Sequence, residues 1–222
     1  MNKPKDYSLN SGERYPHINP ELIGGDHLAR YGYVIDQYRN CDRKLYGADV
    51  FCGSGYGSRL MAEALNVNLL AIDGSTETIE RATQKILSPN IIFAAKLFPF
   101  QLPKTTFDFI TSMESIEHVK DCEAFFWTLA ESLKPGGKLY ISAPNEVNLP
   151  HSGYKWHFKH FTRSEMVDLA QKFGLGHGRA MSTKCHAMEH GKARIFYPYQ
   201  MNNNQFFDVD VGDTLFFEFT KG

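Results

Sequence analysis

The sequence has 222 residues and a formal net charge of −1, with ordinary proportions of hydrophobic and charged residues. This charge provides no overall attraction to nucleic acid or to an anionic membrane surface. No apolar run approaches the length of a membrane span, and the first residues do not resemble a secretory signal peptide. The four cysteines are scattered without metal-ligand spacing, which is typical of reduced thiols. We therefore expect one α/β domain over residues 1–222, located in the cytoplasm.

The N-terminal part combines an irregular segment with one helix. Residues 1–20 are polar and contain prolines, which predicts irregular structure. Residues 26–39 have the apolar spacing of an amphipathic helix.

A glycine-rich turn follows the first predicted strand. Residues 46–51 form a short apolar run, glycines stand at positions 53, 55 and 57, and a helical pattern begins at Ser58. Glycine permits turn angles and close backbone approach that other residues resist. The free N–H groups at a helix start can bind a ligand carboxylate or phosphate. A second apolar run, residues 69–73, ends in Asp73, near the spacing at which a carboxylate takes a ribose diol.

Strands and helices continue to alternate after Asp73. The further predicted strands are 91–95, which we expect to be buried, 107–112 and 138–143. The further predicted helices start near Ser75 or Thr76, after Asp121 and, through a Thr162–Glu165 capping box, after Thr162. Residues 179–222 alternate polar and apolar in the runs 194–199 and 214–219. With a turn at residues 202–204, this pattern predicts an antiparallel hairpin.

Residues 49–57 resemble the first motif of the class I S-adenosylmethionine-dependent methyltransferases, and Asp73 matches the ribose-binding acid of that family. Residues 107–110, 114–119 and 133–139 match the later motifs in order. The resemblance implies a Rossmann-like, seven-stranded, mostly parallel sheet with helices on both faces and an antiparallel C-terminal hairpin. It also implies S-adenosylmethionine as cofactor.

By the same resemblance, the chain divides into a cofactor-covering segment (1–45), a cofactor-binding core (46–143) and a substrate-side half (144–222). The cofactor contacts that it implies are Asp49, Phe51, Gly53, Gly55, Asp73 and Glu114.

Two positions depart from the family pattern. Phe51 occupies the place of the first glycine, so its ring could cover the cofactor. Ala95 and Lys96 stand where relatives carry Gly-Asp, whose aspartate takes the adenine amino group. The adenine must then be held by backbone groups or by another side chain.

Residues 11–15 and 27–31 are similar to a pattern in bacterial methyltransferases encoded among polysaccharide genes. By resemblance, Arg30 pairs with the methionine carboxylate of the cofactor and Tyr15 lines the pocket. An arginine fork suits a carboxylate. The alternative is that Arg30 is a surface residue of the amphipathic helix.

Glu114, Glu117 and His118 form an E-x-x-E-H pattern at the end of the fourth predicted strand. In a helical turn they share a face, and two carboxylates with an imidazole suit a divalent metal such as Mg²⁺. A histidine of the later segment, with His160 chosen from His151, His157 and His160, is the expected fourth ligand.

The pattern resembles ubiquinone-pathway and sugar O-methyltransferases, and also small-RNA terminal 2′-O-methyltransferases. These resemblances imply a metal beside the target hydroxyl. Without metal, His118 is the expected general base, assisted by Glu117. The simpler alternative is that Glu117 and His118 only close the cofactor pocket.

We therefore expect O-methylation of a small-molecule acceptor such as a sugar or polysaccharide precursor. The alternatives are terminal RNA 2′-O-methylation and a protein that binds S-adenosylmethionine without transferring the methyl group. Residues 155–161 interleave basic and aromatic side chains and suit a substrate lid. A nucleic-acid partner is not expected, because the rest of the chain has no basic stripe.

Overall fold

A seven-stranded sheet forms the centre of the computed structural model, which describes residues 16–184, 187–189, 192–195 and 206–222. The strands are β1 (Leu45–Val50), β2 (Val67–Asp73), β3 (Ile91–Ala95), β4 (Phe107–Ser112), β5 (Leu133–Pro144), β6 (Leu175–Thr183), β7 (Ala187–Glu189), β8 (Lys192–Ile195) and β9 (Thr214–Lys221). The order in the main sheet is β3-β2-β1-β4-β5-β9-β6, and β7 pairs with β8 in a separate two-stranded sheet.

Strands β1 to β5 are parallel to one another, whereas β9 runs antiparallel between β5 and β6. This confirms the predicted mostly parallel sheet with an antiparallel C-terminal strand pair. The predicted hairpin between residues 194–199 and 214–219 is wrong in its pairing, because β9 pairs with β5 and β6, and β8, which contains residues 194 and 195, pairs with β7. Which strands pair depends on contacts between distant segments, and the alternating pattern of each run does not record it. The strand order reverses at β1, so the chain leaves β1 towards β2 on one side and β4 lies on the other. Ligands of open α/β sheets bind at such a switch point, beyond the carboxyl ends of the strands.

Within the described part of the chain, five α-helices cover the two faces of the sheet. They are α1 (Gly25–Tyr38), α2 (Tyr56–Ala64), α3 (Thr76–Lys85), α4 (Cys122–Ser132) and α5 (Arg163–Lys172). Apolar side chains of α1, α2 and α3 share one buried core, and those of α4 and α5 belong to a second core. No helix within the described residues combines the length and apolarity that crossing a membrane requires.

The predicted helix starts are confirmed by their caps. The Ser75 hydroxyl accepts from the Thr78 N–H at 3.2 Å, and the Asp121 carboxylate accepts from the Ala124 N–H at 3.0 Å. Thr162 and Glu165 form the expected reciprocal capping box. These caps satisfy N–H groups that a helix start leaves without intrahelical partners.

Two elements differ from their sequence-based expectation. Strand β3 was expected to be buried, but it is an edge strand on which Ile92 is 68% exposed. An edge strand has one neighbour and is covered less than a central strand, and an apolar run alone does not distinguish the two. The fifth strand begins at Leu133 rather than at residue 138, and a register shift against β4 accommodates the added residues. The expected turn at residues 202–204 lies outside the described residues.

The contact between α1 and α2 requires a glycine, which gives a first prediction. A Cβ at Gly57 would lie 2.1 Å from the Tyr31 ring, whereas a Cβ at Gly32 in α1 would meet no atom within 4 Å. We expect Gly57→Ala to lower the free energy of unfolding by about 2 kcal/mol through overpacking. The control Gly32→Ala should raise it by about 0.5–1 kcal/mol, because alanine favours a helix. Urea denaturation checks both; equal effects would contradict the close α1–α2 contact.

Candidate functional site: the carboxyl edge of the sheet

In the glycine-rich turn, three alternate residues have left-handed backbone conformations. The φ angles are +64° at Phe51, +55° at Gly53 and +80° at Gly55. A Cβ added at Gly53 would meet no atom within 4 Å, so this side of the loop is open to a ligand. A Cβ at Gly55 would lie 2.8 Å from the Phe93 ring, so glycine is needed there for packing.

Asp49 holds this turn from below. Its fully buried carboxylate accepts hydrogen bonds from the Ser58 hydroxyl at 2.6 Å, the Thr111 hydroxyl at 2.8 Å and the Tyr31 hydroxyl at 3.1 Å. Burial raises the pKa of Asp49, and the three hydroxyl groups oppose this rise. The contacts of Asp49 thus join α1, α2 and β4 beneath the loop, and its expected contact with the cofactor stays a prediction.

Asp73 ends β2 between the glycine turn and the start of α3. Its carboxylate accepts from the backbone N–H of Gly53 at 3.1 Å and of Ser75 at 2.9 Å. Its backbone carbonyl accepts from the Lys96 N–H at 2.9 Å, which brings the end of β3 beside it. Asp73 therefore lies where the three loops that follow β1, β2 and β3 meet.

Arg30 is not a surface residue, and the alternative that placed it on the exposed side of α1 is wrong. Its side chain is 0% exposed. It donates to the Thr183 hydroxyl at 2.7 Å, and its Nη2 lies 3.3 Å from an oxygen of Asp26 and 4.0 Å from an oxygen of Glu114. The guanidinium thus lies near the carboxyl end of β4, and its acceptors come from α1, from the end of β6 and from the residue two positions after β4.

Glu114 follows β4 in a left-handed conformation with a φ of +48°. The Ser142 hydroxyl donates to its carboxylate at 2.8 Å, and the Glu114 N–H donates back to that hydroxyl at 3.0 Å. Burial raises the pKa of Glu114, and the charge of Arg30 opposes the rise. A cation and a carboxylate side by side are complementary to the carboxylate and ammonium groups of an amino acid.

A second cluster forms where the segment after β5 returns over the end of β4. Ligand atoms of Glu117, His118 and His157 all lie within 4.8 Å of one another. The Glu117 side chain is almost fully buried, and its backbone carbonyl accepts from the Phe158 N–H at 2.7 Å. Glu114 and His160, which were also expected as metal ligands, are not part of this group.

The hydrogen bonds around these imidazoles assign their tautomers. A carbonyl oxygen only accepts, so His118 donates its Nδ1–H to Trp156 and His160 donates its Nδ1–H to Leu149, at 3.1 and 2.6 Å. His160 Nε2 is then an acceptor for the Nδ1–H of His157, at 2.6 Å. Burial lowers the pKa of His160, which favours its neutral form.

In neutral His118 and His157 the remaining nitrogen, Nε2, therefore carries the lone pair. Such outer hydrogen bonds orient imidazole ligands in metal sites. Two imidazole nitrogens and one carboxylate suit a divalent cation, and the same groups can accept a proton.

Pattern reasoning missed two contributors to the site. Thr183 ends β6, and nothing in its sequence neighbourhood indicates a contact with Arg30, 153 positions earlier. His157 was one of three candidate histidines, and only the path of the returning segment selects it. Tyr15, an expected pocket residue, lies outside the described residues.

Comparison with known proteins identifies the family. Residues 38–176 match the family model described as a methyltransferase domain, and the chain belongs to this family. Solved structures described as S-adenosylmethionine-dependent methyltransferases share its fold, which is the class I methyltransferase fold.

Two curated relatives have names that indicate different methyl acceptors. The chain is 39% identical to phosphoethanolamine N-methyltransferase 1 of Arabidopsis thaliana over 97 residues, which is 42% of this chain and 20% of that protein. It is 37% identical to the mitochondrial ubiquinone biosynthesis O-methyltransferase of Schizosaccharomyces pombe over 111 residues, 47% of this chain and 39% of that protein. The matches thus span well under half the length of these relatives.

Solved structures support the fold at lower identity. A Haloferax volcanii methyltransferase in complex with the Trm112 activator has a TM-score of 0.67 at 17% identity, covering 87% of this chain and 89% of that chain. Phosphoethanolamine N-methyltransferase 2 of Haemonchus contortus, in complex with S-adenosyl-L-methionine, has a TM-score of 0.62 at 17% identity, covering 73% and 40%.

His27 gives a prediction of pH-dependent stability. Burial lowers the pKa of His27 to about 4, an effect that Asp26 opposes and Arg30 reinforces, and its Nδ1 lies 3.0 Å from the Tyr56 hydroxyl. Between pH 4 and 6.5 the unfolded chain therefore binds more protons at this position than the folded chain does. The free energy of unfolding should rise with pH across this window, by roughly 3 kcal/mol in all, and the His27 contribution should be lost below it.

The variant His27→Gln keeps a polar partner for Tyr56 and removes the titration. Urea unfolding of both proteins is measured at pH 4.5, 5.5, 6.5 and 7.5. The difference between their free energies of unfolding should change with pH up to about 6.5 and be nearly constant above it. Parallel profiles would contradict a depressed pKa at His27.

Proposed function

We propose that the chain methylates a hydroxyl oxygen of a small molecule such as a sugar or polysaccharide precursor. The convergence of Glu117, His118 and His157 beside the end of β4 carries this proposal. A hydroxyl must lose its proton during methylation, and this cluster offers a carboxylate and two imidazoles within reach of one another.

The residues at the carboxyl edge fit S-adenosylmethionine as cofactor. The open face of Gly53 allows the cofactor to approach the backbone closely. The carboxylate of Asp73 suits the ribose diol. The Arg30–Glu114 pair suits the carboxylate and ammonium groups of the methionine end. Asp49 also supports the loop through its hydrogen bonds, and Gly55 supports it through its packing against Phe93. When bound, the cofactor supplies a methyl group that is already electrophilic.

The task of the protein is then to orient the acceptor and to remove its proton. His118 is the proposed base, because its Nδ1–H is engaged with the Trp156 carbonyl and its Nε2 lies 3.9 Å from a Glu117 oxygen. Glu117 stabilises the imidazolium that results. His157 Nε2, which also carries a lone pair, accepts a hydrogen bond from a second hydroxyl of the acceptor molecule.

The same three side chains are suitable ligands for a divalent cation, which would lower the pKa of the acceptor hydroxyl. This metal-assisted version is the second candidate, because two imidazoles and a carboxylate with fixed tautomers are also a common metal-binding set.

The surroundings of the cluster favour a ring-shaped acceptor with hydroxyl groups. Tyr154 stacks on His157 with a centroid distance of 5.1 Å, and both Tyr154 and Phe158 keep more than a third of their surface exposed. Aromatic faces pack against the C–H faces of sugar rings, while nearby polar groups bind their hydroxyls. Glu146 supplies a polar group of this kind, and its carboxylate accepts from the backbone N–H of His151 at 2.9 Å.

Removing the Asp73 carboxylate should abolish high-affinity cofactor binding. We expect Asp73→Ala to weaken S-adenosylhomocysteine binding by a factor on the order of 100, because charge-assisted hydrogen bonds to two hydroxyls are lost. Calorimetric titration measures this. Asp36→Asn on the exposed side of α1 is the control and should bind like the parent protein. Unchanged binding by Asp73→Ala would show that the ribose assignment is wrong.

Removing the His118 imidazole should separate binding from transfer. We expect His118→Asn to bind S-adenosylhomocysteine within about threefold of the parent and to transfer labelled methyl groups roughly 10²–10⁴ times more slowly. The acceptor panel should contain nucleotide sugars and phosphoethanolamine. An unimpaired rate would remove His118 from the mechanism, and methylation of phosphoethanolamine alone would replace oxygen with nitrogen as the target.

Manganese binding distinguishes the mechanism in which His118 acts as the base from the metal-assisted mechanism. Electron paramagnetic resonance of the EDTA-treated protein with added Mn²⁺ should show bound metal only in the metal-assisted version, and His157→Asn should abolish it. If the base version holds, the parent binds no Mn²⁺ and transfers methyl groups equally well in EDTA.

A further inference from the structure

Glu114 has a strained backbone that one neighbouring hydroxyl group stabilises. Its φ of +48° lies in the left-handed region, which residues with a side chain rarely adopt and which persists only where the surroundings compensate. The Glu114 N–H donates to the Ser142 hydroxyl at 3.0 Å, and this hydroxyl donates to the Glu114 carboxylate at 2.8 Å. A single side chain therefore holds both the backbone and the carboxylate of Glu114.

The sheet places Ser142 for this contact. The last pair between β4 and β5 joins Ser112 to Ile141, so Ser142 is the first residue of β5 beyond the end of β4. Ser142 is fully buried, and Glu114, two residues after β4, turns back onto it. Because the hydroxyl belongs to a central strand, it limits the movement of the loop residue that it binds.

Arg30 does not fix the Glu114 carboxylate. Its Nη2 lies 4.0 Å from Glu114 Oε1, beyond hydrogen-bond distance, whereas the same atom lies 3.3 Å from an oxygen of Asp26. Its Nη1 donates to the Thr183 hydroxyl at 2.7 Å. Arg30 is thus oriented by Asp26 and Thr183, and the orientation of the Glu114 carboxylate depends on Ser142.

Glu114 keeps one carboxylate oxygen for a ligand. Oε1 accepts the Ser142 bond, and within the described part of the chain no hydrogen-bond donor reaches Oε2. The side chain is 25% exposed, so a ligand at the carboxyl edge of the sheet can reach it. The charges of Asp26 and Asp213 repel that of Glu114, and the charge of Arg30 attracts it. Three carboxylates around this guanidinium give an excess of negative charge, which favours an ammonium group in the ligand.

We propose that Ser142 is a positioning residue for cofactor binding. It holds Glu114 in the orientation in which Oε2 accepts a hydrogen bond from the ammonium group at the amino-acid end of the cofactor. Ser142 acts through Glu114 and does not itself contact the cofactor. The inference rests on the proposed assignment of the Arg30–Glu114 pair to this end, and it is independent of the methyl acceptor.

Three ligands separate the ammonium group from the rest of the cofactor. They are S-adenosylhomocysteine, an aminopropyl analogue that keeps the ammonium and lacks the carboxylate, and a carboxypropyl analogue that keeps the carboxylate and lacks the ammonium. By calorimetry, the parent protein should bind S-adenosylhomocysteine at least about tenfold more tightly than the carboxypropyl analogue. Equal binding of these two would show that the Glu114 assignment is wrong and would overturn the inference. No binding of any of the three ligands would instead contradict the proposed cofactor site itself, and the inference with it.

Ser142→Ala removes the hydroxyl group alone. We expect this variant to bind S-adenosylhomocysteine and the aminopropyl analogue about tenfold more weakly than the parent, and the carboxypropyl analogue within about twofold. Ser132→Ala is the matched control, because Ser132 is also buried and its hydroxyl donates to the Thr128 carbonyl at 2.7 Å, away from the site. It should bind all three ligands like the parent. An equal loss for all three ligands in Ser142→Ala, or no loss, would overturn the role of Ser142.

A double-mutant cycle tests whether Ser142 acts through Glu114. Glu114→Ala removes the carboxylate and should lose the preference for ligands with an ammonium group. Adding Ser142→Ala to this variant should change the affinity for S-adenosylhomocysteine by less than about twofold, because the group that Ser142 positions is gone. A comparable loss in both backgrounds would show that Ser142 acts independently of Glu114.

Ser142→Thr keeps the hydroxyl group and should retain the preference of the parent for ligands with an ammonium group. Circular dichroism melts within a few degrees of the parent show that the variants are folded. A folded Ser142→Thr that loses the preference as fully as Ser142→Ala would show that the hydroxyl group is not the feature that matters.

Discussion

The buried carboxylate of Asp49 is the contact on which the site depends. It accepts hydrogen bonds from hydroxyls of α1, α2 and β4, through Tyr31, Ser58 and Thr111. A carboxylate this deeply buried is costly unless its acceptor positions are filled, so the three donors and the acid require one another. The glycine-rich turn begins two residues later at Phe51, and its left-handed conformations persist because this network fixes where the turn starts. The cofactor loop thus owes its shape to packing below it as much as to its glycines.

A second long-range contact joins α1 to the end of β6 at the site. Arg30 comes from the helix that precedes the sheet, and Thr183 comes from the edge strand that follows most of it. Their hydrogen bond brings the guanidinium to Glu114 at the end of β4. The antiparallel strands β6 and β9 therefore do more than close the sheet edge, since they fix the orientation of a charged group at the switch point. A buried arginine needs such a set of acceptors, because desolvating an isolated charge is very unfavourable.

The imidazole cluster shows how backbone carbonyls can prepare side chains for chemistry. The carbonyls of Trp156 and Leu149 hold the Nδ1–H groups of His118 and His160, and His160 in turn holds His157. The sequence predicted that a later histidine would join Glu117 and His118, since the segment after β5 had to return across the same edge. It could not select His157 over His160, because the choice depends on how a segment without regular secondary structure folds over β4. Residues three apart in a loop follow no fixed periodicity, unlike residues in a helix or a strand.

Local patterns by themselves determined the class of fold and most of its elements. Periodicity, turn residues and caps are short-range signals, and they placed the helix caps at Ser75, Asp121 and Thr162 and the acid at the end of β2 correctly. Only the tertiary structure decided that Arg30 is buried, that β3 lies at an edge, and which histidine reaches Glu117. These properties depend on contacts between residues far apart in the chain. Burial and proximity of this kind arise when strands pair and helices pack, and no local spacing records them.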